Sequence, residues 1–378
     1  MDSCDVLIVG AGPAGSSCAW RLQRTGLDVL ILDKSVFPRN KVCGGWITPA
    51  VIEELQLNPV EYSQKRVFQP ITGFRTSRMG GPEIETAYGH PISYGIRRLE
   101  FDDFLLARCG ARILQGTSLK TLERSNDQWI VNGKIKTRLV VGAAGHFCPV
   151  ARFLGADNHG EMAVVAQETE FEMTPGQADA CAIRPELPEL YFCADMKGYG
   201  WCFRKQNFLN VGLGRLDPHG LPHHVADFVD FLRVNRKLGF DLPTAMQGHA
   251  YLLHSNNKRR LVGEGILLVG DAAGVAYSQS GEGIRPAIES GLLAGEAILA
   301  AKGNYNRAAL DSYRNLFTAR FGNSMQGWSA TIGRHLPTPV ISSAARLLLA
   351  TKWFSRNIIL DQWFLRTDEP AFNSQIAH

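Results

Sequence analysis

Gly10, Gly12 and Gly15 stand at the spacing with which a backbone turn can be brought against a diphosphate. The first makes a tight turn, the second lets the main chain approach the phosphates, and the third lets a helix pack on a strand. Such a turn works only between a buried strand and a helix N-terminus. The surroundings supply both: Val6 to Val9 reads as an apolar strand, and Pro13 and Ala14 open an Ala-rich helix. Unpaired N–H groups and the dipole at that helix end favour an anion. A second apolar stretch, DVLILD, ends in Asp33, eighteen residues beyond Gly15, with Lys34 next to it. A carboxylate there is placed to accept hydrogen bonds from an adenosine ribose. These residues alone suit NAD and FAD equally.

A distant segment separates the two. ILLVGD reads as another apolar strand closed by Gly270 and Asp271, and SGEGI then leads into a helix from Ile284 to Ala301. An aspartate at such a strand end can hold the ribityl chain of a flavin. The amides from Gly281 through Gly283 to Ile284, at a helix N-terminus, can lie against the pyrimidine edge and favour an anionic reduced ring. An enzyme with one fingerprint for NAD has no use for this return, so the two segments together point to one bound FAD.

The remaining composition narrows the setting. With 378 residues, 45% hydrophobic and 20% charged, the chain is an ordinary globular one, long enough for two domains. A net charge of +4 is too small to argue for nucleic acid. No apolar run reaches the roughly eighteen residues of a spanning helix, and Met1 leads straight into a strand without a signal peptide. Eight cysteines without a CxxC pair read as reduced thiols of a cytoplasmic protein. HGLPHH at 219 to 224 is the one histidine cluster and has no carboxylate at ligand spacing, so no metal is expected. From Ala301 to Arg366 nine Lys or Arg, including Arg320, Arg334, Arg346, Lys352 and Arg356, face two acids among many Trp, Phe and Leu. Such a stretch either covers the core with its apolar face or rests on the anionic inner face of a membrane.

The patterning predicts an α/β chain: a Rossmann-type FAD-binding domain, an inserted mixed β-sheet forming a substrate domain, and a helical C-terminus. A helix is expected over 100–108 and strands near 112–122, 129–131 and 139–142. Strand alternation then runs through 162–172, 190–194, 200–204 and 209–213. The expected division is discontinuous: 1–67, 98–158 and 258–302 bind FAD, 68–97 and 159–257 form the substrate domain, and 303–378 is helical. Tyr199, Trp201 and Phe203 alternate and must share one face of a strand.

The order of the fingerprint, PRNKVCGG (38–45), RRLEFDDFLL (97–106), VVGAAGHFCPVAR (140–152), GYGWCF (198–203) and GDAAGVAYSQSGEGI (270–284) resembles that of geranylgeranyl reductase-like flavoproteins, within the para-hydroxybenzoate hydroxylase-like class. The resemblance covers nearly the whole chain. It implies that Lys41, Cys43, Gly44 and Gly45 lie beside the isoalloxazine, with Cys43 as a candidate catalytic residue, and that Arg98 reaches FAD through a guanidinium fork suited to a pyrophosphate. Gly145 keeps the frame of a third glycine motif although Ala144 replaces the usual aspartate, and Arg204 and Ser278 stand where the pattern has proline. Tyr199, Trp201 and Phe203 correspond to a wall contacting an isoprenoid tail. The implied activity is hydride transfer from reduced FAD to a carbon–carbon double bond of a hydrophobic small molecule. NAD(P)H or a ferredoxin-like carrier would supply electrons. The alternative is a monooxygenase working through a flavin C4a-hydroperoxide. His146 and Tyr277 adjoin the glycine motifs, but neither can be assigned as the proton donor.

Overall fold

The computed structural model describes residues 1–156, 161–256, 258–322 and 347–372. The chain forms two compact units, each assembled from separated segments. The first takes Met1–Asn40, Leu99–Ala163 and Tyr251–Gln326; the second takes Lys41–Arg98, Val164–Ala250 and Gly327–His378.

In the first unit the fully apolar run that ends Asp2–Val9 must be covered on both faces, which is the position of a central parallel strand. It pairs in parallel with Ile135–Gly142 on one side and Val29–Leu32 on the other. Ile266–Leu268 and Arg112–Leu114 extend this parallel sheet, and antiparallel Gln128–Val131 and Leu122–Ser125 branch from it. Helix Pro13–Leu22 follows the first strand and crosses helix Ile284–Ala300 closely. A Cβ on Gly291 would stand 2.2 Å from the Ala14 carbonyl oxygen, so a small residue there is what permits the crossing. The strand expected over 112–122 stops at Leu114. Gly116 turns the chain in the left-handed region at φ +68° and donates its N–H to the Ser35 carbonyl.

In the second unit a sheet of seven strands among the described residues runs Gln247–Leu252, Ala163–Glu172, Phe208–Arg215, Gly198–Lys205, Glu189–Phe192, Gly73–Arg78, Ile84–Ala87. Helix Leu221–Val234 covers one face with Val225, Phe228 and Leu232, packed on Tyr191, Cys202, Val211 and Leu213. Gly200 lies over the Phe228 ring, where a Cβ would approach to 2.6 Å. The opposite face carries Tyr199, Trp201 and Phe203.

The unit boundary falls at 40/41, whereas the sequence pattern puts it at 67/68. Trp46–Ile47 pairs with Ser93–Ile96, which also pairs with Phe68–Ile71, and this small sheet draws residues 41–67 into the second unit. The C-terminal region also divides: helix Arg307–Phe321 belongs to the first unit, and the segment Lys352–Phe354 with the π-helical Ser355–Phe364 belongs to the second. Arg334 and Arg346 lie outside the described residues.

Candidate flavin and substrate site

The glycine turn is built as its spacing demands. Gly10 has φ +115°, and a Cβ on it would stand 2.4 Å from the Ala143 carbonyl oxygen. A Cβ on Gly15 would stand 1.9 Å from the Gly10 carbonyl oxygen, so the third glycine is fixed by helix-on-turn packing. Gly12 differs: the nearest group to its Cβ position is the Arg39 guanidinium at 3.6 Å. Pro13 opens the helix, no side chain caps it, and its first turn holds no acid. An uncapped N-terminus beside an open glycine fits a diphosphate. Asp33 is buried; its Oδ2 accepts the Ala11 N–H at 2.7 Å and its Oδ1 the Ser35 N–H at 2.8 Å. The carboxylate thus braces the glycine turn, a role that its spacing from Gly15 does not reveal. Lys34 beside it is exposed. Arg39, which motif reading passed over, pairs with buried Asp102 at 3.2 Å and stacks on Phe37.

In the second glycine segment, Gly270 turns at φ +61° into a single 3-10 turn, Gly270–Ala272, with Asp271 partly exposed. Arg259 holds that turn from below, donating to the Asp271 and Ala272 carbonyls at 3.3 and 3.0 Å while paired with Glu161. His146 meets the same guanidinium, its Nδ1 3.3 Å away. This engagement, and the burial of Tyr277, make both structural neighbours of the turn. Gly145 turns at φ +79° with open space where a Cβ would be. Of the amides expected against a pyrimidine edge, Gly281 donates to the Tyr277 carbonyl and Glu282 to Ser280 Oγ. Among the described residues no acceptor meets the amides of Gly283 and Ile284 at the helix start, so the expected row of amides narrows to these two.

In the second unit, the Lys41–Gly45 loop lies on the face of the large sheet that the helix leaves uncovered. A Cβ on Gly44 would stand 3.3 Å from the Phe203 ring and 3.5 Å from the Trp201 indole nitrogen. Gly45 has φ +67°, and a Cβ there would stand 2.4 Å from both the Ile96 carbonyl oxygen and Lys205 Nζ. The close approach that requires Gly45 is therefore to this protein's own backbone and lysine. Lys41 Nζ lies 3.1 Å from both ring nitrogens of His249. Arg98, first residue of helix Arg98–Arg108, is buried.

Tyr199, Trp201 and Phe203 do share one face, and other aromatics join them. Trp46 stacks on Phe203 at 5.4 Å, Phe74 meets Trp46 edge-on, and Phe364 meets both Trp46 and Tyr199 edge-on. Polar groups thread between them. Trp201 donates to Asn210 Oδ1 at 2.7 Å, and Asn210 Nδ2 donates to the Cys43 carbonyl at 3.2 Å. Lys205 donates to Ile96 O and to Glu170. Burial pushes the Glu170 carboxyl up, but Lys205 and Arg97 outweigh it and hold it below the usual range. Glu168, two residues away, accepts the Cys43 N–H at 2.5 Å. Burial pushes its carboxyl up to about 7, against the pull of the Cys43 amide, Lys205 and Asn210. Cys43 is the partly exposed cysteine; the other seven are buried, and burial pushes the Cys18 thiol up to about 12. That contrast leaves Cys43 as the thiol open to chemistry.

A family model described as an FAD binding domain matches residues 3–321. The chain belongs to this FAD-binding family. A menaquinone reductase of Mycobacterium tuberculosis (strain ATCC 25618 / H37Rv) is 29% identical, across 95% of this chain and 92% of that one. Digeranylgeranylglycerophospholipid reductase 1 of Methanothermobacter thermautotrophicus is 27% identical, covering 85% and 84%. A solved geranylgeranyl bacteriochlorophyll reductase-like protein of Thermoplasma acidophilum shares the fold over 100% of this chain and 98% of that one, with 20% identity and a TM-score of 0.78. The flavin-dependent halogenase CmlS shares it with a TM-score of 0.65 over 86% of this chain. The resemblance to geranylgeranyl reductase-like flavoproteins therefore holds, and the chain is an FAD-dependent oxidoreductase of the reductase kind.

The C-terminal segments of this flavoprotein turn much of their apolar surface inward. Ile359, Leu360, Phe364 and Leu365 are buried, and Tyr88 donates to Asp361 at 2.6 Å while Arg356 lies over the Tyr88 ring. Arg320 points into the first unit onto Glu289, so it is not offered to a lipid headgroup. Leu347, Leu348 and Trp353 remain exposed, with Lys352 beside Trp353. No helix among the described residues is long and apolar enough to cross a membrane.

Proposed function

We propose that this flavoprotein reduces carbon–carbon double bonds of an isoprenoid or similarly long hydrophobic substrate. The observation that carries the reading is the aromatic face of Trp46, Tyr199, Trp201, Phe203 and Phe364 packed around the Cys43–Gly45 loop. A hydrocarbon chain entering among these rings would be shielded from water. The names of the reductases similar along most of the chain support the same reading.

The chain's own residues then divide the labour. The turn through Gly10, Gly12 and Gly15 and the amides after Pro13, including those of Ala14 and Gly15, hold the FAD diphosphate, with Arg39 and Arg98 as candidate cationic partners. Asp33, with Lys34 beside it, serves the ribose, Asp271 the ribityl chain, and the Gly283 and Ile284 amides the pyrimidine edge. The turns at Gly145, Gly270 and Gly281 shape the backbone around these contacts. Lys41, Cys43, Gly44 and Gly45 form the flavin-facing loop of the second unit. Bound FAD supplies a hydride equivalent after its own reduction by NAD(P)H or a ferredoxin-like carrier.

Photoreduced protein mixed with a polyprenyl lipid in the absence of oxygen tests the activity. Reoxidation of the flavin with saturation of the lipid is the expected result. Reoxidation by oxygen alone, with a hydroxylated product, would instead establish a monooxygenase. The ribityl assignment predicts that Asp271→Ala purifies with FAD occupancy reduced about tenfold or more, as loss of a charged hydrogen-bond partner costs about 1.5–3 kcal/mol. Unchanged occupancy by flavin absorbance would refute that assignment. The exposed Leu347, Leu348, Trp353 and Lys352 add a peripheral contact with anionic lipid to the reading. Salt-sensitive co-sedimentation with phosphatidylglycerol vesicles is expected, and failure to pellet at low salt would remove it.

A further inference from the structure

Glu168 is a buried carboxyl on an alternating strand, and only one of its two oxygens is hydrogen-bonded among the described residues. It lies mid-strand in Ala163–Glu172 and is 4% exposed. In register across the sheet it faces Gly212, which faces Trp201. Because Gly212 has no side chain, the Trp201 ring lies over it: a Cβ there would stand 2.3 Å from Trp201 Cζ2 and 2.7 Å from Glu168 Cβ. The glycine gap thus sets the carboxyl beside the indole on the aromatic face.

The two carboxyl oxygens have different surroundings. Oε1 accepts the Cys43 N–H, which ties Glu168 to the loop. Oε2 is buried and has no hydrogen-bond partner among the described residues. The charged and polar groups packed around it are already committed. Lys205 is spent on Glu170 and the Ile96 carbonyl, Glu170 is also held by Arg97, and Asn210 bridges Cys43, Glu170 and Trp201. Glu168 makes no salt bridge among the described residues. Desolvation is the largest influence on this carboxyl, and with the like charge of Glu170 it outweighs the pull of the Cys43 amide, Lys205 and Asn210, raising it to about 7.

We propose that Glu168 is the acid that protonates the double bond during its reduction, an inference that rests on reading the Cys43–Gly45 loop as flavin-facing. An unactivated alkene has no carbonyl to receive negative charge, so proton addition must accompany or precede hydride arrival. The Glu168 O–H bond breaks and its proton bonds to one alkene carbon. The other carbon receives the hydride equivalent of the reduced flavin, two electrons pass from flavin to alkene, and the carboxylate left behind regains a proton from water. The group remains protonated up to about pH 7, so it is available as an acid at neutral pH and is lost as pH rises further.

The test compares the FAD-loaded wild-type protein with Glu168→Gln, which retains an oxygen for the Cys43 N–H and removes the acidic proton. Anaerobic single-turnover reduction of a polyprenyl lipid is expected to slow roughly 100-fold or more in the variant. FAD occupancy and the rate of flavin photoreduction are expected to be unchanged. The wild-type rate should fall above pH 7, and the residual rate of the variant should lack that limb. Independently of turnover, infrared titration of the cofactor-free protein should show a protonated carboxyl C=O band that disappears near pH 7 and is missing in Glu168→Gln. If wild type reduces the lipid and the variant matches its rate, Glu168 is not the acid and the reductase reading stands. If wild type reduces no polyprenyl lipid, the reductase reading fails, and the infrared band still decides the protonation state. Should Glu168→Gln fail to fold, Glu168→Asp and the wild-type pH profile carry the test. A wild-type rate independent of pH between 6 and 9 would overturn the proposal.

Discussion

A Gly15→Val protein is expected to purify without FAD and to unfold at a lower temperature than wild type. A Cβ at this position would stand 1.9 Å from the Gly10 carbonyl oxygen and 3.1 Å from Ile8 Cγ2. The first obstacle is backbone, so no rotamer change relieves it. The helix from Pro13 must move off its strand, and overpacking of this kind costs about 1–3 kcal/mol or more. The same movement takes the helix N-terminus away from the diphosphate position. Gly12→Ala is the contrasting case, because nothing stands closer than 3.6 Å to its Cβ position. That variant should melt as wild type does and still bind FAD more weakly, since the new methyl occupies the approach to the phosphates. Flavin absorbance per polypeptide and thermal melting of both variants check this. Full occupancy in Gly15→Val would show that the turn does not hold the cofactor.

Glu289→Ala should be among the most destabilising single substitutions in the first unit. Glu289 and Arg285 are almost fully buried in helix Ile284–Ala300, and their side chains pair at 2.9 Å. Arg320, from helix Arg307–Phe321, donates to both oxygens of the same carboxylate at 2.9 and 2.5 Å. The alanine variant leaves two guanidinium groups buried without this carboxylate. Removing one partner of a buried pair costs about 3–5 kcal/mol, which is a large part of the about 5–15 kcal/mol that holds a typical domain together. Urea unfolding at neutral pH is the measurement. A change below about 1 kcal/mol would mean that the arginines find water or other acceptors on losing Glu289.

What sequence could and could not foretell follows from the range of the interactions involved. The glycine turn, Asp33 and the helix after Gly283 are local patterns, each written in fewer than about thirty residues. The alternation of Tyr199, Trp201 and Phe203 likewise needs only the two-residue period of a strand. Glu168 gave no such signal. A glutamate in an alternating strand reads as a solvent-facing residue, and its burial depends on register with Gly212, forty-four positions away, and on a loop at Cys43. The boundary at residue 41 was hidden for a related reason: Trp46–Ile47 is a strand of two residues and is defined by its partner at Ser93–Ile96. Arg39 stood in plain view within PRNKVCGG, and only its approach to Gly12 and Asp102 distinguishes it from a surface cation. The basic C-terminal stretch was ambiguous because period alone does not say which surface an apolar face meets.

The threading of the chain bears on how the protein comes to exist during synthesis. The strand Asp2–Val9 is flanked by Val29–Leu32 early, but its other neighbour is Ile135–Gly142, and the helix that clamps Pro13–Leu22 begins only at Ile284. Between these parts the ribosome must emit the large sheet of the second unit. A nascent chain of 250 residues therefore has its glycine turn in sequence but lacks the helix that packs against the helix following it. Strands of such distant pairing close slowly and leave apolar edges exposed while they wait. On the proposed reading of the glycine turn, FAD capture is expected to be a late event, and a chain truncated before Ile284 is expected to purify without FAD.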